Sequence, residues 1–120
     1  MALRGIRGAT GLTADDAVEM HEAVTELLQE MVRVNSVPSE ALVSVILTCT
    51  PDLHSAFPAA AARRLGWTDV PLLCAQELDI TGAMPRVVRV LLHVDMDLPR
   101  ADVRHVYLRG TENLRQDPLP

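Results

Sequence analysis

Residues 41–49, ALVSVILTC, form a nearly continuous apolar run that follows a break at Pro38 and Ser39. A run of this length and composition is typical of a strand that is covered on both faces. We therefore expect it to occupy a central place in a sheet, and the segments before and after it decide what surrounds that sheet.

A long amphipathic helix is predicted before this strand. Thr13 is a good N-cap, Asp16 follows three residues later, and Asp15 lies in the first turn, where a carboxylate favours the positive end of a helix. Apolar residues then recur at spacings of three and four, namely Met20, Val24, Leu27, Leu28 and Met31. The pattern ends near Asn35. The glutamates fall mostly on the opposite side, which we interpret as solvated surface.

Four further strands and one short helix complete the predicted fold. The strands are residues 3–10, 70–78, 86–94 and 104–109. Between residues 50 and 67 a loop leads into the short helix, where Pro58 suits the start, four alanines favour the turn and Gly66 can close it in the left-handed conformation. Helices on one face of a mixed sheet give an α+β fold.

The size and composition of the chain favour one domain in an oligomer. Its 120 residues match a single domain, since domains usually run to ~100–150 residues, so we predict one domain over residues 1–120. Hydrophobic residues make up 48% of the sequence, which is high for so small a chain. We expect part of this apolar surface to be buried against another subunit.

The sequence disfavours several classes of partner. A net charge of −5 and the lack of a basic run argue against nucleic acid. Arg89 and His93 interrupt the best apolar stretch, so no segment reaches the ~18 residues that span a bilayer, and we predict no membrane partner and a cytoplasmic location. Cys49 and Cys74 lack CxxC spacing and are predicted to be free thiols. Without metal-ligand spacing, a P-loop or a dinucleotide fingerprint, we expect a small-molecule ligand and neither metal nor cofactor.

Arginine supplies all eleven basic residues. The base composition of the genome can explain this, but the planar guanidinium also holds a carboxylate through two parallel hydrogen bonds. Arg89 is the most informative, because the apolar residues on either side of it, Val88 and Val90, point to the opposite face of its strand. A central-strand arginine needs an anionic partner. That partner is either a ligand or an internal carboxylate, Glu77 or Asp79, and the pattern leaves both open.

Three further polar residues are candidates for the same site. Cys74 and Glu77 are three apart, so a regular strand directs them to opposite faces, and both line one site only if the strand ends or bulges near Gln76. Tyr107 lies in a predicted strand, where a lone tyrosine serves packing more often than catalysis. The residues alone therefore indicate a site built from arginines and a carboxylate, with a thiol and a phenol as open additions.

Five separated motifs give the sequence a resemblance to a known family. They are RGIRGAT at 4–10, TPDLHSAFPA at 50–59, CAQELDITG at 74–82, RVLLHV at 89–94 and RHVYL at 104–108. In this order and register they resemble the monofunctional AroH-type chorismate mutases over about residues 3–115. The resemblance implies a five-stranded mixed sheet with one long and one short helix, assembled as a homotrimer of the chorismate-mutase-like pseudo-α/β-barrel type. It also implies active sites in clefts between neighbouring subunits.

The same resemblance implies a reaction and the residues that carry it. The reaction is the rearrangement of chorismate to prephenate in phenylalanine and tyrosine biosynthesis, without cofactor or covalent intermediate. The implied catalytic residues are Arg89, which donates to the ether oxygen and to a substrate carboxylate, and Glu77 and Cys74, which meet the ring hydroxyl. The implied substrate-binding residues are Arg7 and Tyr107 from the same chain, Phe57, Ala59 and Arg63 from its neighbour, and Leu114 and Arg115 from a mobile C-terminal tail at 110–120. The glycines beside Arg7 are expected to let backbone and ligand approach closely.

The chain departs from the family pattern at two places, and two alternative functions stay open. Relatives often carry lysine where this chain has Ala60, with Arg64 one turn later as a replacement charge, and the tail reads LRQDPLP where relatives tend to have proline directly after the arginine. One alternative is a trimeric enamine/imine deaminase of the RidA type, which has similar interface arginines but does not explain Cys74, Glu77 and Arg89 together. The other is a non-catalytic metabolite-binding trimer.

Overall fold

Five strands and two α-helices form the framework of residues 2–116, the part of the chain that the computed structural model describes. In chain order they are β1 (Ala2–Gly11), α1 (Ala17–Val34), β2 (Leu42–Cys49), α2 (Ala59–Arg64), β3 (Leu72–Gln76), β4 (Val87–Met96) and β5 (Val106–Tyr107). Short 3-10 helices at Ser39–Ala41, Arg100–Asp102 and Glu112–Gln116 lie between and after them. Within this part of the chain, neither α-helix is long and apolar enough to cross a membrane.

The strands form one mixed sheet in the order β3-β2-β4-β1-β5. β4 runs antiparallel to β1, from Ala2 opposite Met96 to Gly11 opposite Val87, and antiparallel to β2 on its other side. The outer pairs, β2 with β3 and β1 with β5, are parallel. The predicted fold class is confirmed. The middle strand of the five is β4. β2 lies one place from the middle, between β4 and the edge strand β3, so the central place expected for residues 41–49 was wrong by one strand.

Both helices pack on one side of the sheet, which we call the helix face. Alternate side chains of β4 point into the helix face and meet the apolar side of α1. The side chains on both elements are at most 3% exposed, namely Val88, Val90, Leu92 and Val94 of β4 and Val24, Leu27, Leu28 and Met31 of α1. Burying such a side chain stabilises the fold by ~1.5–3 kcal/mol. The two-residue period of β4 and the helical period of α1 therefore decide together which side of the sheet is covered.

The other side of the sheet, which we call the open face, is left uncovered by both α-helices. Leu3 and Leu73 on this face are 62% and 61% exposed, and Ile46 and Thr48 of β2 are only half-buried. The expectation that residues 41–49 are covered on both faces is therefore wrong within one chain. Its physical reason is that α1 and α2 lie on the same side.

Helix α1 begins three residues later than predicted. Its N-cap is Asp16, whose Oδ2 accepts the backbone N–H of Glu19 at 2.8 Å. The Glu19 carboxylate turns back and accepts the backbone N–H groups of Thr13 and Ala14 at 2.8 and 3.2 Å. These hydrogen bonds, that from the Thr13 backbone first, lower the pKa of Glu19. Thr13 thus belongs to the approach to the helix, while the end at Asn35 is as predicted.

Two predicted strands are shorter in the structure. β3 covers only Leu72–Gln76 of the predicted 70–78, and β5 only Val106–Tyr107 of the predicted 104–109. The Asn35 side chain occupies the backbone of Arg104, accepting its N–H and donating to its carbonyl, so no strand pairing starts there. Arg109 has a φ of +50°, which ends β5 in a turn.

Gly8 admits helix α1, a packing role that the sequence analysis did not assign to it, while the expected approach of a ligand to the backbone beside Arg7 stays a prediction. A Cβ on Gly8 would collide with Met31 Sδ and come within 3.1 Å of Leu27 Cδ1. Gly8 lies on the helix face, whereas Arg7 points to the open face opposite Leu91. The missing side chain of Gly8 therefore makes room on the helix face of β1, and the side chain of Arg7 lies on its open face.

Candidate active site

A cavity of about 260 Å³ lies on the open face, and we call it the arginine cavity. Its polar lining consists of Arg7, Thr48, Glu77, Arg89 and Tyr107, and Ile46 and Leu91 supply apolar walls. These residues come from four strands and from the end of β3. The sequence analysis placed four of them, Arg7, Glu77, Arg89 and Tyr107, in one site, and the fold brings these four together.

The strand register explains how these side chains meet. Arg89 is paired with Thr48 on one side and with Ala9 on the other, and Ala9 is also paired with Tyr107. Paired residues on one face lie roughly 4.5–5.5 Å apart between Cβ atoms. The next row of the sheet carries Ile46, Leu91 and Arg7. Two consecutive rows across the sheet therefore form the floor of the arginine cavity.

Ala9 keeps this floor open. It stands between Arg89 and Tyr107, and its single methyl group leaves a gap between two long side chains. Sequence reasoning missed Ala9 and also Thr48, because an alanine and a threonine in a strand carry no signal of their own.

Ala9→Val is expected to fill this gap. Valine suits a strand, so folding should be preserved, while its two added methyl groups displace the side chains of Arg89 and Tyr107. For the reaction that the family resemblance implies, we expect kcat/KM to fall roughly tenfold, since small displacements of the groups that position a substrate are costly. Steady-state kinetics checks this, with Ala2→Val, the same change in β1 outside the cavity, as the control. Equal kinetics for the two variants would contradict it.

Arg89 and Glu77 form a charged pair in the cavity. Arg89 Nε lies 3.7 Å from Glu77 Oε2, which is longer than a hydrogen bond, and the Thr48 hydroxyl donates to the same Oε2. The Arg89 side chain is 45% exposed. An internal pair with Glu77 is therefore present, and it still leaves the guanidinium facing the cavity.

Glu77 reaches the open face because it follows the regular alternation of β3. Its backbone N–H donates to the Cys49 carbonyl at 2.8 Å, which fixes the chain just after the strand ends at Gln76. Cys74, three residues earlier, is paired with Leu47 and packs against the core on the helix face. Although the strand ends at Gln76, Cys74 and Glu77 do not line the same cavity within one chain.

Cys74 lines a second cavity, of about 450 Å³, which we call the Phe57 cavity. Its lining includes Cys49, Cys74, His54, Phe57 and Gln76. Burial, and next the proximity of Cys74 and Glu77, raise the pKa of the Cys49 thiol to about 12, so this thiol stays protonated at neutral pH. The contact of Cys74 with a ring hydroxyl stays a prediction.

The remaining predicted residues are placed as follows. Phe57 is 73% exposed and borders the Phe57 cavity, whereas Ala59 is 2% exposed and points into the core. Arg63 is exposed on α2. Leu114 is half-buried in the 3-10 helix Glu112–Gln116, and the side chain of Arg115 lies outside the described residues. Within one chain, the described lining of the arginine cavity does not include Phe57, Ala59, Arg63 or Leu114.

The segment that leads to the C-terminal tail is fixed at Thr111. This residue is buried, and its hydroxyl lies 3.1 Å from the Ala9 carbonyl and 2.7 Å from the Leu108 carbonyl, within donating distance of both. Because Ala9 belongs to the cavity floor, Thr111 ties the start of the predicted tail to the site. Thr111 was not identified from the sequence.

His105 supports the backbone of Arg7. The Arg7 N–H donates to His105 Nδ1 at 2.9 Å, so an imidazole nitrogen replaces the backbone acceptor that a longer β5 would supply. Burial and then the charge of Arg7 lower the pKa of His105. A neutral ring with an unprotonated Nδ1 is the form that can accept this hydrogen bond.

The free energy of unfolding is expected to decrease as the pH falls below about 6.5, the ordinary pKa of histidine. Below that pH the unfolded chain binds a proton at His105 that the folded chain, with its lowered pKa, binds less readily, so acid favours the unfolded state. His105→Asn offers an amide oxygen as acceptor without a titration. Melting temperatures measured against pH should fall less steeply for this variant, and identical slopes would contradict the role of His105.

No group of three or more histidine, cysteine or acidic side chains is arranged to hold a metal ion among the described residues, 2–116. The polar groups of the arginine cavity are two guanidinium groups, one hydroxyl and one phenol, which can donate, and one carboxylate, which accepts. Such a set is suited to an organic anion with more than one negative group.

Comparison with known proteins gives matches over nearly the whole chain. The family model for chorismate mutase type I matches residues 3–118. Chorismate mutase AroH from Bacillus subtilis is 42% identical over 118 residues, which cover 98% of this chain and 93% of that protein. Chorismate mutase AroH from Thermus thermophilus is 49% identical over 116 residues, covering 96% and 95%. A solved chorismate mutase structure from Clostridium thermocellum aligns with a TM-score of 0.89 at 40% identity, covering 91% of this chain and 97% of the other.

Proposed function

Since the chain belongs to the type I chorismate mutase family, we propose that it converts chorismate to prephenate in the arginine cavity. The resemblance noted from the sequence is thereby confirmed, and the enzyme is an isomerase. The observation that carries the assignment of the site is the placement of Arg89 beside Glu77, with Arg7 and Tyr107 on the same cavity.

The reaction explains why these residue types are needed. Chorismate rearranges in one pericyclic step, in which the C–O bond breaks ahead of C–C bond formation. Negative charge then gathers on the ether oxygen, and positive charge spreads over the ring. The Arg89 guanidinium stabilises the first charge and the Glu77 carboxylate stabilises the second, and both interactions are stronger in the transition state than with bound substrate.

The other polar residues hold the substrate in its reactive shape. Chorismate carries two carboxylates, and Arg7 and Tyr107 bind them through hydrogen bonds to the guanidinium and the phenol. Fixing both ends of the substrate keeps the reacting carbon atoms close together, which removes part of the entropic barrier. The mechanism moves no proton, so it requires no general base. Because the rearrangement takes place in one step, it requires no covalent intermediate either.

The site is completed by a second copy of the chain in a homotrimer. One chain forms the floor of the arginine cavity on its open face. Exposed Leu3 and Leu73 on the same face supply apolar surface for association with another chain. Phe57, Ala59 and Arg63 of one subunit then border the substrate of its neighbour, and Leu114 and Arg115 close over that substrate. Cys74 lines the same cavity as Phe57, so it meets the ring hydroxyl from the same side. The two cysteines are free, which is typical of a reducing compartment and supports a cytoplasmic location.

A trimer should appear in solution as a particle of three times the 13.1 kDa chain mass. The expectation rests on the uncovered apolar side chains of the open face and on a cavity that one chain leaves unfinished. Light scattering after size exclusion measures the mass. A stable monomer that retains full activity would contradict the shared site.

An assay of chorismate consumption tests the function directly. The purified protein should convert chorismate to prephenate, and chelators should leave the rate unchanged. Enamine or imine substrates should not be hydrolysed, which removes the RidA-type alternative. Binding of chorismate without turnover would instead support a metabolite-binding protein and overturn the proposal.

A further inference from the structure

Asp15, the residue before the N-cap of α1, is bonded to the loop that carries Phe57. Its Oδ1 accepts hydrogen bonds from the backbone N–H groups of His54 and Ser55, both at 3.0 Å. The Ser55 hydroxyl donates to the Asp15 carbonyl at 2.9 Å, and His54 Nδ1 lies 3.1 Å from Asp15 Oδ2. Four contacts therefore join Asp15 to two residues that follow it by 39 and 40 positions.

The base of this connection is rigid. Asp15 is followed by the N-cap Asp16 and by α1, whose Met20 and Val24 are at most 2% exposed and packed in the core. Desolvation acts to raise the pKa of Asp15, but the hydrogen bonds from His54 and Ser55 outweigh it and leave the pKa below its ordinary value. Asp15 is thus ionised at neutral pH and accepts both backbone N–H groups.

Phe57 depends on its backbone for its direction. The ring is 73% exposed, so packing within the chain contributes little to holding it. On its C-terminal side, α2 is fixed in the core by Ala59, Ala61 and Ala62, each at most 2% exposed. On its N-terminal side, the fixed point two residues away is Ser55, which is held by Asp15.

We propose that Asp15 is a positioning residue for substrate binding, which holds Phe57 at the rim of the Phe57 cavity through the backbone of His54 and Ser55. This role rests on the proposed function, in which Phe57 contacts the substrate of the neighbouring subunit. A well-placed aromatic ring at that point strengthens binding before and during the reaction alike. Loss of Asp15 should therefore act on KM more than on kcat.

A purely structural role for Asp15 would give a different result, and the chain offers a matched control. The neighbouring Asp16 is also an aspartate, but its hydrogen bond to the Glu19 N–H stays within α1. Asp16→Ala removes a helix cap and should lower the melting temperature without changing KM. A variant that only weakens the start of α1 will resemble Asp16→Ala.

Asp15→Ala is expected to raise the KM for chorismate roughly tenfold while kcat changes less than about twofold. Asp15→Asn retains an oxygen that can accept both backbone N–H groups, so its KM should stay within about twofold of the wild-type value. The double variant Asp15→Ala with Phe57→Ala should have the KM of Phe57→Ala alone, because both changes act through the same ring.

Three results would overturn the positioning role: an unchanged KM in Asp15→Ala, an equal loss in Asp15→Asn, or KM effects of Asp15→Ala and Phe57→Ala that multiply. These results are distinct from a failure of the proposed function. If Arg89→Lys lowers kcat on the order of 10²-fold or more while Asp15→Ala leaves KM unchanged, only the role of Asp15 is lost. If Arg89→Lys leaves kcat intact, the assignment of the site is lost, and the role of Asp15 falls with it.

Discussion

Arg89→Lys is expected to lower kcat by a factor on the order of 10²–10³, which corresponds to roughly 3–4 kcal/mol of transition-state stabilisation. Lysine keeps the positive charge but lacks the planar fork, so it cannot donate to the ether oxygen and to a substrate carboxylate together. The loss falls on kcat because the charge on the ether oxygen develops only in the transition state. Steady-state kinetics with chorismate measures it.

The stability of Arg89→Lys separates catalysis from structure. The Arg89–Glu77 pair spans 3.7 Å between side chains that are 45% and 26% exposed, and partly exposed pairs of this kind contribute only ~0–1 kcal/mol. The melting temperature should therefore change little. Arg33→Lys, which alters the Arg33–Glu30 pair on α1, is the matched control and should leave kcat unchanged. A normal kcat with a lowered melting temperature in Arg89→Lys would end the catalytic assignment.

Glu77→Gln is expected to lower kcat on the order of 10²-fold by removing the negative charge that, in the proposed mechanism, faces the substrate ring. Glutamine has nearly the same shape, and its amide oxygen can still accept the hydrogen bond from the Thr48 hydroxyl. The change therefore tests charge separately from packing. The KM should change less than kcat, since the positive charge on the ring is small in the bound substrate.

The control for Glu77→Gln is Asp79→Asn. Asp79 lies two residues further along the same exposed segment and borders a different cavity, next to Thr50 and Pro85. Its neutralisation changes the net charge of the protein equally, so any long-range electrostatic effect is shared. Equal kinetics for the two variants would show that the charge of Glu77 has no special role.

The alternation within β4 and the helical period of α1 made the layers of the fold predictable. Val88, Val90, Leu92 and Val94 identify one face of a strand, and the apolar stripe of α1 supplies the surface that covers it. The residue that forms the N-cap of α1 was less predictable, because Thr13 and Asp16 are both good N-cap residues. The choice depends on Glu19, whose carboxylate is already engaged with Thr13 and Ala14.

The short length of β5 could not be predicted from local sequence. RHVYL has the alternation of a longer strand, but the Asn35 side chain holds the backbone of Arg104, and this contact joins residues 69 positions apart. The separation of Cys74 from Glu77 is different, because it follows from strand alternation and is visible in the local sequence.

The candidate site was predictable where a residue was unusual for its surroundings. A charged Arg89 inside an apolar strand required an anion, and Glu77 was one of the two internal partners expected. Thr48, Ala9 and Asp15 gave no such signal, because threonine and alanine are ordinary in strands and an aspartate before a helix is ordinary as well. Their roles depend on register and on contacts between distant segments.

A crystal structure of the protein with a bicyclic analogue of the chorismate transition state is the most direct test of the arginine cavity as the active site. We expect the ether oxygen of the analogue within about 2.7–3.2 Å of the Arg89 guanidinium, its carboxylates at Arg7 and Tyr107, and Phe57 of a neighbouring subunit against it. An analogue bound away from this cavity, with Arg89 engaged only with Glu77, would contradict the account.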